Sequence, residues 1–271
     1  MSGIRFVKAQ ACGNDFLIIE ETAAEGRHAQ LARALCERHT GVGADGIEFL
    51  ERRADGSYFL RLFNADGSEA ELSGNGTRCV AAWLAESEGL EEIALGTHGG
   101  VRRCKVIVKA EETPWWIQSG MGVPRVMPRT IEIEGVGLVE GLMVNMGNPH
   151  FVIFPERQDY GSHGMSWQEL GAKIAVDPVF KFGTNVEFVR VLEKNKIAFR
   201  IYERGCGPTT SSGTGTCAAS AAAITLKGVE WSLTALAEGG AQEVVWPETT
   251  AEMMLTGPAE IICTGEARVN F

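Results

Sequence analysis

Two serines stand in matching chemical settings in this chain. Residues 71–82 read ELSGNGTRCVAA and residues 210–221 read TSSGTGTCAASA. Each copy places a serine, Ser73 or Ser212, before Gly-x-Gly-Thr and then turns alanine-rich. A helix N-terminus presents unpaired N–H groups and partial positive charge. Glycines there let the backbone approach a ligand. The corner therefore suits an anion. Phosphate is poorly supported, because no G-x-x-x-x-G-K-[ST] occurs. A carboxylate fits better. Donors fixed on an amino-acid carboxylate would stabilise the enolate formed when the α-proton leaves. A base on one face and an acid on the other would then invert the centre, a reaction that two-fold pseudosymmetry suits. The plain alternative is that Ser73 and Ser212 only cap their helices. A serine-hydrolase elbow, G-x-S-x-G, is absent.

Other polar residues widen the pattern. Asn14, Asn64, Asn148 and Asn185 each sit beside glycine or at a strand end. An amide both donates and accepts, which suits a zwitterion, although each asparagine alone also serves as a turn former. Arg204 can grip a carboxylate with two parallel bonds, and the adjacent Glu203 can accept from an ammonium. His150 reads either as a partner for a catalytic acid or base or as an ordinary buried histidine.

The elements that would carry these residues repeat. A shift of 139 brings DGIEFL (45–50) onto TNVEFV (184–189), RLFN (61–64) onto RIYE (200–203) and SGNGT (73–77) onto SGTGT (212–216). A shift of 134 brings GNDFLII onto GNPHFVIF. The shared order points to an ancient duplication. FLII, YFLRLF, HFVIF, VEFVRV and IAFRIY read as strands, the last two as a hairpin turning at Glu193–Lys196. HAQLARALCERH has helical spacing and is expected to stop at Thr40-Gly41. SWQEL starts a helix with Ser166 and Glu169 as a capping box. The segments after the two corners are helix formers with small residues on most faces, as in helices enclosed by protein. Each half is thus expected to be a sheet wrapped around a central helix, with a boundary near residues 114–128.

Composition narrows the partners. The 271 residues are 45% apolar and 22% charged, ordinary for a globular protein with a substantial core. The net charge of −10 argues against nucleic acid and anionic membrane surfaces. No signal peptide or membrane span is read, so a cytoplasmic location is expected. Seven scattered cysteines without C-x-x-C, and five separated histidines, argue against a disulfide framework and a metal site.

At these residues the sequence resembles the diaminopimelate epimerase family. ACGNDFLIIE, TGVGADGIEFLE, FNADGSEAELSGNGTRCVAAW, NMGNPHFVIF, GTNVEFVRV, YERGCGPTTSSGTGTCAASAA and LTGPAEI carry the likeness over nearly the whole chain. The resemblance implies an α/β (α+β) fold of two pseudosymmetric domains, each a mostly antiparallel sheet around a central helix. Residues 1–120 with 264–271 would form one domain and 121–263 the other, the last strand returning to the first. It implies cofactor-free exchange of LL- and meso-diaminopimelate, a small-molecule amino-acid substrate, in a homodimer. By the same resemblance Asn14, Gly74, Asn75, Gly213 and Thr214 would surround the carboxylate at the reacting centre. Asn64, Asn148, Asn185 and Arg204 would hold the distant amino-acid end. Glu203 and His150 would sit beside the reacting centre.

The chain departs from that pattern at its centre. The family carries its protons on two cysteines, at the positions of Ser73 and Ser212. A helix N-terminus can lower a thiol's pKa into a useful range, whereas a hydroxyl is a poor base without a helper. Cys79 and Cys217 lie inside the following helices, Cys206 stands near Glu203, and Pro208 occupies a place where many relatives have glutamate. Three readings stay open: introduced serines that trap a ligand, an active branch in which Glu203 or His150 activates the hydroxyls, or a pocket that binds without turnover. A racemase of another amino acid is a further alternative.

Overall fold

A computed structural model describes residues 3–108 and 114–269. Residues 1–2, 109–113 and 270–271 of the expected first domain lie outside the described residues. The chain divides into two compact units, Met1–Ser119 with Gly257–Phe271, and Gly120–Thr256.

The first unit runs β1 (Ile4–Ala11), β2 (Asn14–Glu20), α1 (His28–Cys36), β3 (Gly46–Arg52), β4 (Tyr58–Asn64), β5 (Glu69–Ala70), α2 (Gly74–Glu88), β6 (Glu92–Gly96), β7 (Arg102–Val108) and β8 (Trp115–Gly120). The second runs β9 (Arg125–Ile133), β10 (Gly137–Asn145), β11 (Pro149–Ile153), α3 (Trp167–Ala175), β12 (Asn185–Glu193), β13 (Lys196–Glu203), β14 (Gly207–Thr209), α4 (Gly213–Lys227), β15 (Ser232–Ala237) and β16 (Gly240–Val245). One long strand, β17 (Met254–Ala267), begins in the second unit and ends in the first. Its Met254–Thr256 pair with β16, and Glu260–Ala267 pair with β1. The break therefore falls at 256/257, within a continuous strand, where the sequence division had put it at 263/264.

In the first unit the pairings close a ring, β1-β2-β3-β4-β6-β7-β8-β17 and back to β1. Two of these pairs, β2–β3 and β4–β6, are parallel. Every strand of the ring sends a side chain to α2: Ala9, Phe16, Leu50, Leu62, Leu95, Cys104, Ile117 and Ala259 pack with Cys79, Val80, Ala81, Ala82 and Leu84. A helix packed on all sides cannot keep a polar stripe, and ten residues of α2 are buried. Side chains alternate across a strand, so Leu17, Ile19, Ile47 and Phe49 face outward, where α1 covers them with Leu31, Ala32 and Leu35. Burial on both faces explains why FLII is a continuous apolar run.

The second unit repeats the plan. Phe199, Ile201, Val244 and Leu255 pack against α4, while Phe151, Ile153, Val186 and Phe188 face α3. The 139-residue shift carries α1 onto α3 and α2 onto α4 end to end. Both central helices close on a left-handed glycine, Gly89 at φ 71° and Gly228 at φ 64°. The hairpin turns where expected, with Glu193 opposite Lys196, and α3 carries the Ser166–Glu169 capping box. α1 ends earlier than its spacing implies, at Cys36 rather than Thr40-Gly41. Glu37 is extended, and its carboxylate accepts the backbone N–H of His39 at 2.6 Å and of Thr40 at 2.7 Å. Those bonds, Thr40 first, hold its pKa down at about 2 and satisfy donors that a longer helix would have used.

Candidate active site

The corner of the first unit is built on two tight connections. Cys12 and Gly13, at φ 53° and 79°, form the two-residue turn between β1 and β2, which places Asn14 at the start of β2. Ser73 is extended, and its Oγ accepts the Gly76 N–H at 3.0 Å as the N-cap of α2. Asn75 Nδ2 donates to Asn14 Oδ1 at 3.2 Å, and Asn14 Nδ2 donates to Asp45 Oδ2 at 2.6 Å. Asn75 Oδ1 accepts from Arg78 Nη2 at 2.5 Å. Arg38 braces the far end, donating to both Asp15 and Asp45. Burial raises the Asp15 pKa, but bonds from Arg38 and Lys8 outweigh it and the net direction is down. Asn64 stands apart at the end of β4, with its Nδ2 on Ser68 Oγ at 3.0 Å.

The corner of the second unit has the same frame and different contents. Ser212 is the extended N-cap of α4, accepting the Gly215 N–H at 3.3 Å. It also hydrogen-bonds Glu203, whose Oε1 accepts from Thr209 Oγ1 at 2.5 Å. Burial pushes the Glu203 pKa up, against the bonds from Thr209 and Ser212 and the attraction of His150. His150 lies fully enclosed, Nδ1 against Glu187 Oε1 at 2.6 Å and Nε2 against Asn148 Oδ1 at 2.9 Å. Asn148 Nδ2 donates to Thr214 Oγ1 at 3.3 Å in the first turn of α4. Asn185 Oδ1 accepts the Arg204 N–H at 2.9 Å, and the exposed Arg204 guanidinium donates to the Phe182 carbonyl at 2.6 Å. Asn148 thus joins His150 and Thr214, and Asn185 joins Arg204.

Two residues of this frame were not singled out from the sequence. Glu48 on β3 and Glu187 on β12 are related by the 139-residue shift, and both are buried on the inward face of their strands. A Cβ on Gly76 would overlap the Glu48 carboxyl, and one on Gly215 would stand 3.0 Å from Glu187 Oε1. The second glycine of each Ser-Gly-x-Gly corner therefore makes room for a buried acid. Burial alone pushes the Glu48 pKa up to about 8, which favours the neutral acid over the carboxylate. Burial also raises the Glu187 pKa, while His150 pulls it down. The available signal was a glutamate at the same place in two apolar strands, IEFL and VEFV.

The diaminopimelate epimerase family model matches residues 6–127 and 142–262. This chain belongs to the diaminopimelate epimerase family. Diaminopimelate epimerase 1 of Nostoc sp. is 35% identical over 97% of this chain and 99% of its own length. Diaminopimelate epimerase of Pelotomaculum thermopropionicum is 36% identical over 97% and 98%. Among solved structures, a phenazine biosynthesis protein of the PhzF family from Bacillus anthracis matches with TM-score 0.74 at 16% identity, over 99% of this chain and all of that one. A probable proline racemase from Agrobacterium radiobacter matches with TM-score 0.73 at 14% identity, over 98% and 93%. At such identities these two share the fold alone. The two-domain, helix-centred architecture is thus that of the diaminopimelate epimerase family and its structural neighbours. Among the described residues no helix is long and apolar enough to cross a membrane, and no cluster of His, Cys, Asp and Glu could hold a metal ion.

Proposed function

We propose that this chain interconverts LL- and meso-diaminopimelate by proton transfer at an α-carbon, without an organic cofactor or metal. Membership of the diaminopimelate epimerase family gives the reaction class. The observation that carries the reading is the repeated corner: in each unit a serine caps a central helix at the position where a proton carrier is expected. The helix N-terminal donors hold the carboxylate as charge moves into it.

At the second corner the α-proton passes to Ser212 Oγ as the Ser212 proton passes to the Glu203 carboxylate, which burial makes a stronger base than an exposed glutamate. Ser73 is the second proton carrier of the two-base reaction. Asn64, Asn185 and Arg204 hold the distant amino-acid end, which decides which of two similar centres reacts. The enzyme works as a cytoplasmic homodimer, a state that sedimentation at micromolar concentration checks.

One observation favours a second reading, a protein that binds the amino acid and turns it over slowly or not at all. Ser73 Oγ accepts the Gly76 N–H, and no carboxylate or imidazole of its unit bonds it among the described residues. A serine that gives up a proton there has no helper to replace it. Incubation with LL-diaminopimelate in deuterium oxide separates the two readings. Deuterium at the α-carbon supports the epimerase, and tight binding without exchange supports the binding protein. Proline or glutamate binding more tightly than diaminopimelate would point to a racemase of another amino acid.

A further inference from the structure

The first turns of α2 hold a charge that the proposed proton transfers do not use. Arg78 is completely buried. Its Nη2 donates to Asn75 Oδ1, and its Nε and Nη1 are buried without an acceptor among the described residues. A buried cation with so little compensation is costly. The helix itself does not need it: the equivalent position of α4 is Cys217, neutral and equally buried. One copy of the duplicated corner has therefore kept an unneutralised cation that the other lacks.

We infer that Arg78 is a positioning residue for a substrate carboxylate at the α2 corner, an inference that rests on the amino-acid substrate proposed above. The guanidinium can only donate, and the Asp45 carboxylate can only accept. Between them the bonds run one way, Arg78 to Asn75, Asn75 to Asn14, Asn14 to Asp45. Neither amide can turn over without breaking two of these bonds. Asn14 Nδ2 is left with a second hydrogen that has no partner among the described residues, a donor suited to an anion. The charge of Arg78 is shielded from solvent and so from salt. It adds to the positive end of α2 and makes this corner the stronger of the two carboxylate holders.

Calorimetric binding of meso-diaminopimelate tests the inference, with melting temperature measured in parallel. Arg78→Met should fold and bind at least tenfold more weakly. Asn75→Asp gives Arg78 a counter-ion; it should raise the melting temperature and abolish binding. A folded Arg78→Met protein with native affinity overturns the inference, since a merely structural arginine would change melting alone. Native affinity in Asn75→Asp overturns it equally, and decides the matter if Arg78→Met does not fold. The amides are read without ligand from side-chain NH2 signals in 15N–1H spectra. Arg78→Met should shift those of Asn14 as well as Asn75, and an unmoved Asn14 defeats the relay. If the native protein binds no diaminopimelate, the substrate reading fails, and the amide spectra still decide the relay.

Discussion

At the N-terminus of α2 the polar side chains include Asn75, Asn14, Arg78, Asp45 and the buried Glu48; at the N-terminus of α4 they include Glu203, Thr209, His150, Glu187 and Asn148. The backbone frames are equivalent, residue for residue, through the two helices. The bonds of the first set run from a guanidinium that can only donate to a carboxylate that accepts. The second is a set of ionisable groups: Glu203, its pKa raised by burial, on Ser212, and the buried Glu187–His150 pair. The two corners share the strand–helix geometry and differ in the side chains set on it. Position 64 against position 203 shows the change at one site. Asparagine ends β4, and glutamate ends β13.

The largest expected effect comes from returning thiols to both corners. Ser73→Cys with Ser212→Cys should raise α-deuterium exchange by about 10²–10⁴-fold, the range of a positioned acid–base group. Ser73→Cys alone should gain more than Ser212→Cys alone, because Ser212 already has Glu203. Equal gains would break the comparison. Next, Glu203→Gln should lower exchange by roughly 10²-fold while leaving meso-diaminopimelate affinity within a few-fold in calorimetry. Unchanged exchange would remove Glu203 from the proton path.

The same substitution at the two equivalent acids should have opposite signs. The Glu48 pKa in the folded chain, about 8, lies above its ordinary 4.5. Between these values the native state keeps a proton that the unfolded state releases. Stability is therefore lost as pH rises through this window and levels off above it. Glu48→Gln should stabilise by up to a few kcal/mol at pH 8 and by little at pH 4.5, read as melting temperature against pH. Glu187→Gln weakens the bond to His150 and should cost about 1–3 kcal/mol. Stabilisation by both would show that Glu187 is as poorly compensated as Glu48. The smallest effect lies away from the corners. Ser166→Ala removes the capping box of α3 and should cost about 1 kcal/mol in urea unfolding.

Much of this was legible from residue order. Ser-Gly-x-Gly-Thr followed by alanine announced both central helices, and the 139-residue shift announced their equivalence. The capping box and the Glu193–Lys196 turn are local signals, and both elements form where the local rules place them. The end of α1 was missed because the Glu37 carboxylate competes for the N–H groups of His39 and Thr40, and Glu37 in sequence looks like one more helix former. Arg78, Glu48 and Glu187 were passed over for a related reason. An arginine in an amphipathic pattern or a glutamate in a strand ordinarily faces water, and only closure of the strands around the helix puts these inside.

The sequence by itself determined the periodicities, the caps, the duplicated corner and the family, because each rests on residues close in the chain or on their order along it. The tertiary structure decided which polar groups lose water and which partners they then meet. Glu48 and Glu187 occupy equivalent places in equivalent strands, yet only Glu187 meets a histidine. Arg78 and Cys217 occupy equivalent turns, yet only one brings a charge. Burial and hydrogen bonding between segments far apart in the chain set those outcomes, and the energy of a polar group depends on those surroundings far more than on its own identity.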